Sequence, residues 1–356
     1  MNIIQKLKEK YNLSIWLDYL DNELLEYLPS MVKERKIYGI TTNPTIFNNA
    51  LKKSSQPNLK DTKNLYEAIE NVMIENVKKA CYIMLPIFEE TNKQDGLVSI
   101  EVPPYIAYDT SQTAEKAVQL WEKINMPNVM IKIPATNEGI ESIKILYQKN
   151  ININVTLLFS LEKYSKVIET YKNANTQSIS VASFFVSRVD TVIDEHLLKL
   201  KQANLITEEL YTKLVGKTAV FNSLNAFKLY ERSFQNVSKI QRILWASTST
   251  KNPSYNPLKY IQELLTPNSI NTIPLNTYQL LINSEINLEE WEKITKQNIE
   301  QLEEINQKLQ QISNYLNFNY FTEELLYKGV TLFSDSYNSI VDTFITQLSI
   351  NTSPLA

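Results

Sequence analysis

The chain has 356 residues, 43% hydrophobic and 21% charged, which is ordinary globular usage and enough apolar side chain to bury a substantial core. Its 36 Lys and Arg against 39 Asp and Glu give a net charge of −3, so it has no global basic field for nucleic acid, and any phosphate binding has to be local. One cysteine (Cys81), one histidine (His196) and five glycines exclude an internal disulfide, a thiolate zinc cluster, a site of several imidazoles and any glycine-rich phosphate loop.

The opening stretch MNIIQKLKEKYN is polar and no run approaches ~18 apolar residues, so neither a leader nor a membrane span is expected. With the lone cysteine, this points to a soluble cytoplasmic protein.

Eight β-rich runs then follow in order: SIWLDYL (14 to 20), GITTNPTIF (39 to 47), VSIEVPP (98 to 104), VMIKIPAT (129 to 136), ININVTLLF (151 to 159), SISVASFFV (178 to 186), RILWAST (242 to 248) and NTIPLNT (271 to 277). Between them lie stretches with apolar residues at three and four spacing, such as NELLEYLPSMVKERK, TAEKAVQLWEKI, EGIESIKILYQK and LEKYSKVIETYKN. Eightfold strand and helix alternation predicts an α/β fold, a parallel (β/α)8 TIM barrel, ahead of an open doubly wound sheet. His196, in VDTVIDEHLLKL, reads as a surface or half-buried helix residue. From about residue 285 the composition turns to Glu, Gln, Lys and Asn, with Leu302, Ile305, Leu309 and Ile312 on one helical face. A single domain over 1 to 356 is expected, with 285 to 356 as appended helices.

Alternation within the strands separates an apolar row from a polar one. Val129, Ile131 and Ile133 would face the helices while Met130, Lys132 and Pro134 point into the barrel. Ile151, Ile153, Val155 and Leu157 oppose Asn152, Asn154 and Thr156 in the same way. Glu101, Asp18, Asn43 with Thr41 and Thr45, Ser183 and Ser247 join the inward set. An unpaired buried polar group costs about 1 to 3 kcal/mol, so this many on the strands of one barrel imply a site, at the carboxyl ends where such barrels carry theirs.

These residues allow imine chemistry. A lysine amine is nucleophilic only when neutral, and an apolar surround disfavours the ammonium. Dehydration and carbon-carbon cleavage then need an acid and a base, for which Glu101 and Asp18 are available. Arg188 is one of four arginines, and its guanidinium can grip phosphate bidentately or pair with Asp190 or Asp194 on its own helix. Ser247 and Lys251 in WASTSTKNP are further phosphate candidates.

SIWLDYL, GITTNPTIF, VSIEV, MIKIPATNEGI, ININVTLLFSLEKY, SVASFFVSRVDT, ILWASTSTKNPSY and LLYKGVTLF, from about residue 14 to 335, together resemble the transaldolase family in its longer bacterial type. The resemblance implies a class I aldolase barrel that moves a dihydroxyacetone unit between sugar phosphates, without metal or organic cofactor, as a monomer or homodimer with no nucleic-acid or membrane partner. It implies Lys132 as the Schiff-base lysine and Glu101 as acid and base through a water held by Thr156. Asp18 would take the proton from the hydroxyl of the cleaved carbon. Asn43 and Asn154 would hold substrate hydroxyls or orient the lysine, Ser183 would bind the donor's terminal hydroxyl, and Arg188 would clamp the distal phosphate. Departures lie in loops: Pro104 and Tyr105 follow the third strand, Ser187 stands where related loops have glycine, and Lys251 lies where shorter relatives carry a second arginine. Two other readings fit the residues: an aldolase that releases free dihydroxyacetone, and a non-catalytic sugar-phosphate sensor.

Overall fold

The computed structural model describes residues 1–53 and 65–352. The strands are β1 (Ser14–Asp18), β2 (Gly39–Thr41), β3 (Leu97–Glu101), β4 (Val129–Pro134), β5 (Ile153–Leu158), β6 (Ser180–Phe185), β7 (Gln241–Ala246) and β8 (Ile270–Ile273), closing in chain order into the expected barrel. The helices are α1 (Ile3–Tyr11), α2 (Asn22–Lys33), α3 (Pro44–Lys53), α4 (Leu65–Glu90), α5 (Thr110–Ile124), α6 (Asn137–Gln148) and α7 (Leu161–Asn173). They continue as α8 (Ser187–Gln202), α9 (Glu208–Leu214), α10 (Thr218–Phe234), α11 (Lys259–Glu263), α12 (Leu275–Asn283), α13 (Leu288–Gln311) and α14 (Phe318–Thr352). Among the described residues no helix is long and apolar enough to cross a membrane.

The helices start where short polar side chains can take up their free amides. Asp21 accepts from the Leu24 amide, Asp109 from Gln112 and Thr136 from Gly139, which caps α2, α5 and α6. The same chemistry shortens one expected strand. In GITTNPTIF, Asn43 accepts from the Ile46 amide at 3.0 Å and Pro44 opens α3, so β2 ends at Thr41. Thr45, expected in an inward strand row, therefore lies on that helix and bonds Ser336 of α14 at 2.8 Å.

The chain divides into two compact units: Met1–Trp16 with Val155–Asn173 and Ser180–Lys328, and Leu17–Asn154 with Ala174–Ile179 and Gly329–Ala356. Helix α13 lies in the first unit, and α14 is divided at Lys328. In the second unit, β2, β3 and β4 pair in parallel, and Val129, Ile131 and Ile133 are fully buried. Asn152 precedes β5 instead of lying in its inward row; its amide bonds the Pro127 and Val129 carbonyls and accepts from Ile179.

In the first unit, β6, β7 and β8 form a ladder, with Trp245 edge-on to Phe184 and its indole donating to Thr266 at 2.9 Å. Arg242 is buried at the start of β7, where it donates to Ser14 and to the Ser269 carbonyl. Leu157 in β5 has φ of +57°, so the simple alternation breaks immediately after Thr156. Helix α13 buries Leu302 and Ile305 against α9, α10 and α11, with Ile312 buried just past its end and Leu309 half-buried, which is the face the sequence pointed to. His196 is half-buried on α8, its ring within hydrogen-bond distance of the Tyr315 carbonyl and packed on Phe321.

Candidate active site

Parallel register sets Glu101, the last residue of β3, beside Lys132 of β4. The Lys132 ammonium stands 3.5 Å from Glu101 Oε2 and donates to the Thr42 carbonyl at 3.0 Å. The two residues are 4% and 5% exposed, so the pair is almost wholly removed from water. Burying two charges costs several kcal/mol of hydration that their attraction barely returns, so such a pair is poorly explained by stability alone. It places a proton carrier beside a potential nucleophile.

Asp18, the last residue of β1, is the other carboxylate expected from the sequence and lies in the same unit. Its Oδ1 accepts from Thr41 at 2.6 Å, and Asn43 Nδ2 lies 3.5 Å from its Oδ2. These two neighbours come from β2 and the residues after it, which register places beside β1. Asn154 in β5 donates to Ser99 of β3 at 3.0 Å, both fully buried. Lys132, Glu101, Asp18, Asn43 and Asn154 thus belong to one unit, each held by named partners.

The remaining candidates belong to the other unit. The Thr156 hydroxyl is buried and has no hydrogen-bond partner among the described residues, the state expected of a group that holds a water or a substrate. Ser183 is buried in β6. Ser247 follows β7 with φ of +55°, and its hydroxyl meets that of Ser187 at 3.0 Å. Arg188 lies in the first turn of α8, which no side chain caps, with its guanidinium over the Phe185 ring at 5.4 Å. The two carboxylates that could pair with it on its own helix, Asp190 and Asp194, each hold other partners. Asp190 accepts from the Ala219 amide and the Tyr260 hydroxyl, Asp194 from the Gly216 amide and the Tyr255 hydroxyl. Burial, and then the neighbouring Asp194 charge, push the Asp190 carboxyl up to about 7. Lys251 is exposed and donates to Ser249 at 2.9 Å.

Sequence reasoning passed over three groups in this set. Ser99 carries the signal, since it precedes Glu101 by two and shares its row. The Thr42 carbonyl that receives Lys132 is backbone and leaves no trace in residue type. Asn271 of β8 accepts from Thr248, and its buried amide nitrogen has no partner among the described residues.

A sequence model of the transaldolase/fructose-6-phosphate aldolase family matches residues 15–344. The chain belongs to that family. A transaldolase from Trichodesmium erythraeum is 35% identical over 365 residues, covering 94% of this chain and 95% of that one. Transaldolase 2 of a Nostoc species is 32% identical over 373 residues, with 96% and 97% covered, and a transaldolase of Acidothermus cellulolyticus is 38% identical over 293 residues, with 75% and 77% covered. Among solved structures, a fructose-bisphosphate aldolase from Campylobacter jejuni aligns over 95% of this chain and 94% of that one at a TM-score of 0.40 and 10% identity, too distant a likeness to carry an argument. Membership in the transaldolase/fructose-6-phosphate aldolase family makes this chain an enzyme, and the relatives above make it one of the transferase kind.

Proposed function

We propose that the enzyme transfers a dihydroxyacetone unit from a ketose phosphate to an aldose phosphate through an imine on Lys132. In one direction sedoheptulose 7-phosphate and glyceraldehyde 3-phosphate give erythrose 4-phosphate and fructose 6-phosphate, a reaction of the non-oxidative pentose phosphate pathway. The observation that carries this reading is the buried Lys132 ammonium 3.5 Å from the Glu101 carboxylate. A cytoplasmic setting accords with Cys81, which is a buried free thiol.

The chemistry assigns each group a task. Glu101 takes a proton from the Lys132 ammonium, and the neutral amine adds to the ketose carbonyl carbon; the carbinolamine then loses its hydroxyl as water, with Glu101 returning the proton. Asp18 takes the proton of the hydroxyl on the carbon to be released, the carbon-carbon bond breaks, and its electron pair moves into the imine to form an enamine. An aldose leaves. The enamine carbon then attacks the carbonyl of the acceptor aldehyde, Asp18 returns its proton to the new alkoxide, and water hydrolyses the imine. Thr41 and Asn43 orient the Asp18 carboxylate, and Ser99 orients the Asn154 amide. A water-holding role for Thr156 is supported by its partnerless hydroxyl. Arg188 in the uncapped first turn of α8, with Lys251 and Ser247 from the segment after β7, suits the distal phosphate. Ser183 and Asn43 are assigned to donor hydroxyls.

Borohydride reduction in the presence of fructose 6-phosphate, followed by peptide mass mapping, tests the reading. A substrate adduct on Lys132, absent in Lys132→Ala, is the expected result. Binding without an adduct would leave a sugar-phosphate sensor. Turnover of fructose 6-phosphate without any acceptor, with release of free dihydroxyacetone, would indicate an aldolase in place of a transferase.

A further inference from the structure

Arg188 and Lys251 come from different elements, α8 and the segment that follows β7. Among the described residues, and beside the bond from Tyr260 of α11 to Asp190 at 2.8 Å, two contacts between these elements bracket the pair. At the start of α8, the Ser187 amide donates to the Ser247 carbonyl at 2.9 Å and the two hydroxyls meet at 3.0 Å. Two helical turns on, the Tyr255 hydroxyl donates to Asp194 Oδ2 at 2.6 Å. Arg188 lies between these contacts on one element and Lys251 lies between them on the other.

The second contact is built to stay in place. Asp194 is anchored from its other side, since Oδ1 accepts from the Gly216 amide at 2.8 Å. Gly216 has φ of +69°, and a Cβ there would stand 2.7 Å from the Tyr255 oxygen, so the turn leaves just the room the phenol occupies. Between the buried Thr248 and the buried Leu258, core packing does not hold the intervening stretch. Residues 251 to 254 are exposed, and a cavity of roughly 300 Å³ lies between them and α8, lined by Asp194, Lys251 and Tyr255 among others.

We propose that Tyr255, through its bond to Asp194, is a positioning residue that sets where Lys251 stands relative to α8 and so tunes affinity for the phosphate end of the donor. The inference rests on the reading of Arg188 and Lys251 as phosphate ligands. On this reading the clasp acts on binding and leaves the bond-making steps alone.

The test is steady-state kinetics with fructose 6-phosphate and with unphosphorylated fructose as donors, using unphosphorylated glyceraldehyde as acceptor so that only the donor carries phosphate. Tyr255→Phe removes one hydrogen bond to a charged group and is expected to raise KM for fructose 6-phosphate about three- to tenfold, with kcat within about twofold and fructose turnover unchanged. Gly216→Ala, which crowds the phenol, is expected to shift KM in the same direction. Arg188→Ala is the control. If it raises KM for fructose 6-phosphate and Tyr255→Phe does not, the clasp is overturned and the phosphate reading survives. If Arg188→Ala leaves KM unchanged, the phosphate reading falls and takes the clasp with it. Equal losses on both donors in Tyr255→Phe would mark a structural role and also overturn the proposal.

Discussion

Glu101 and Lys132 are direct register partners on adjacent parallel strands, and their charged ends approach to 3.5 Å in an almost dry environment. Each neutralises the other, so substitutions at the two positions are coupled. Glu101→Gln keeps the shape and removes the proton carrier, and kcat is expected to fall by about 10² to 10⁴. Both variants leave the Lys132 ammonium without its counter-charge, a loss of about 3 to 5 kcal/mol that denaturant titration measures apart from the loss in kcat, and Glu101→Ala adds a cavity.

The Asp18 carboxylate depends on Thr41, whose hydroxyl donates to it at 2.6 Å. Thr41→Val is nearly isosteric and deletes that donor. Donor cleavage in single-turnover measurements is expected to slow about tenfold, with the borohydride adduct on Lys132 still forming, since imine formation does not pass through Asp18.

Asp190 gives stability a pH dependence of defined sign. Its folded-state pKa is raised from 3.8 to about 7, chiefly by burial, so the folded protein holds its proton more tightly than the unfolded chain. That contribution is fully present below pH 3.8 and is lost as pH rises toward about 7. Asp190→Asn keeps an acceptor for the Ala219 amide and removes the charge, so the difference in Tm between variant and wild type is expected to move in the variant's favour from pH 4 to pH 8. A constant difference across that range would contradict the assignment.

Gly96 has φ of +72°, and a Cβ there would lie 2.3 Å from the Phe88 amide nitrogen and 2.7 Å from its Cα. Both are backbone atoms of α4, so no rotamer change can relieve the clash. Gly96→Ala is expected to destabilise the fold by about 2 kcal/mol or more, measured by chemical denaturation, with KM unchanged in whatever fraction stays folded.

The barrel was legible because its signal is repeated eight times, and the Glu101 and Lys132 rows were legible because a charge between β-branched apolar residues stands out at period two. Asn43-Pro44 shows where the reading broke. Thr41, Thr42, Asn43 and Thr45 look like the second half of a strand by residue type, but a cap followed by proline starts a helix, and only Thr41 stays in β2. The Thr42 carbonyl and the Asp194 to Tyr255 bond escaped for a different reason. One is main chain, and the other links residues 61 apart whose meeting depends on how α8 and the segment after β7 are folded back.

Asn43 has both ends of its amide committed: the oxygen starts α3 and the nitrogen faces Asp18. Aspartate there would preserve the helix start and set a second negative charge beside Asp18. Serine would preserve the start and withdraw the donor. Leucine would forfeit both. Folding and the proposed chemistry therefore constrain one side chain at once.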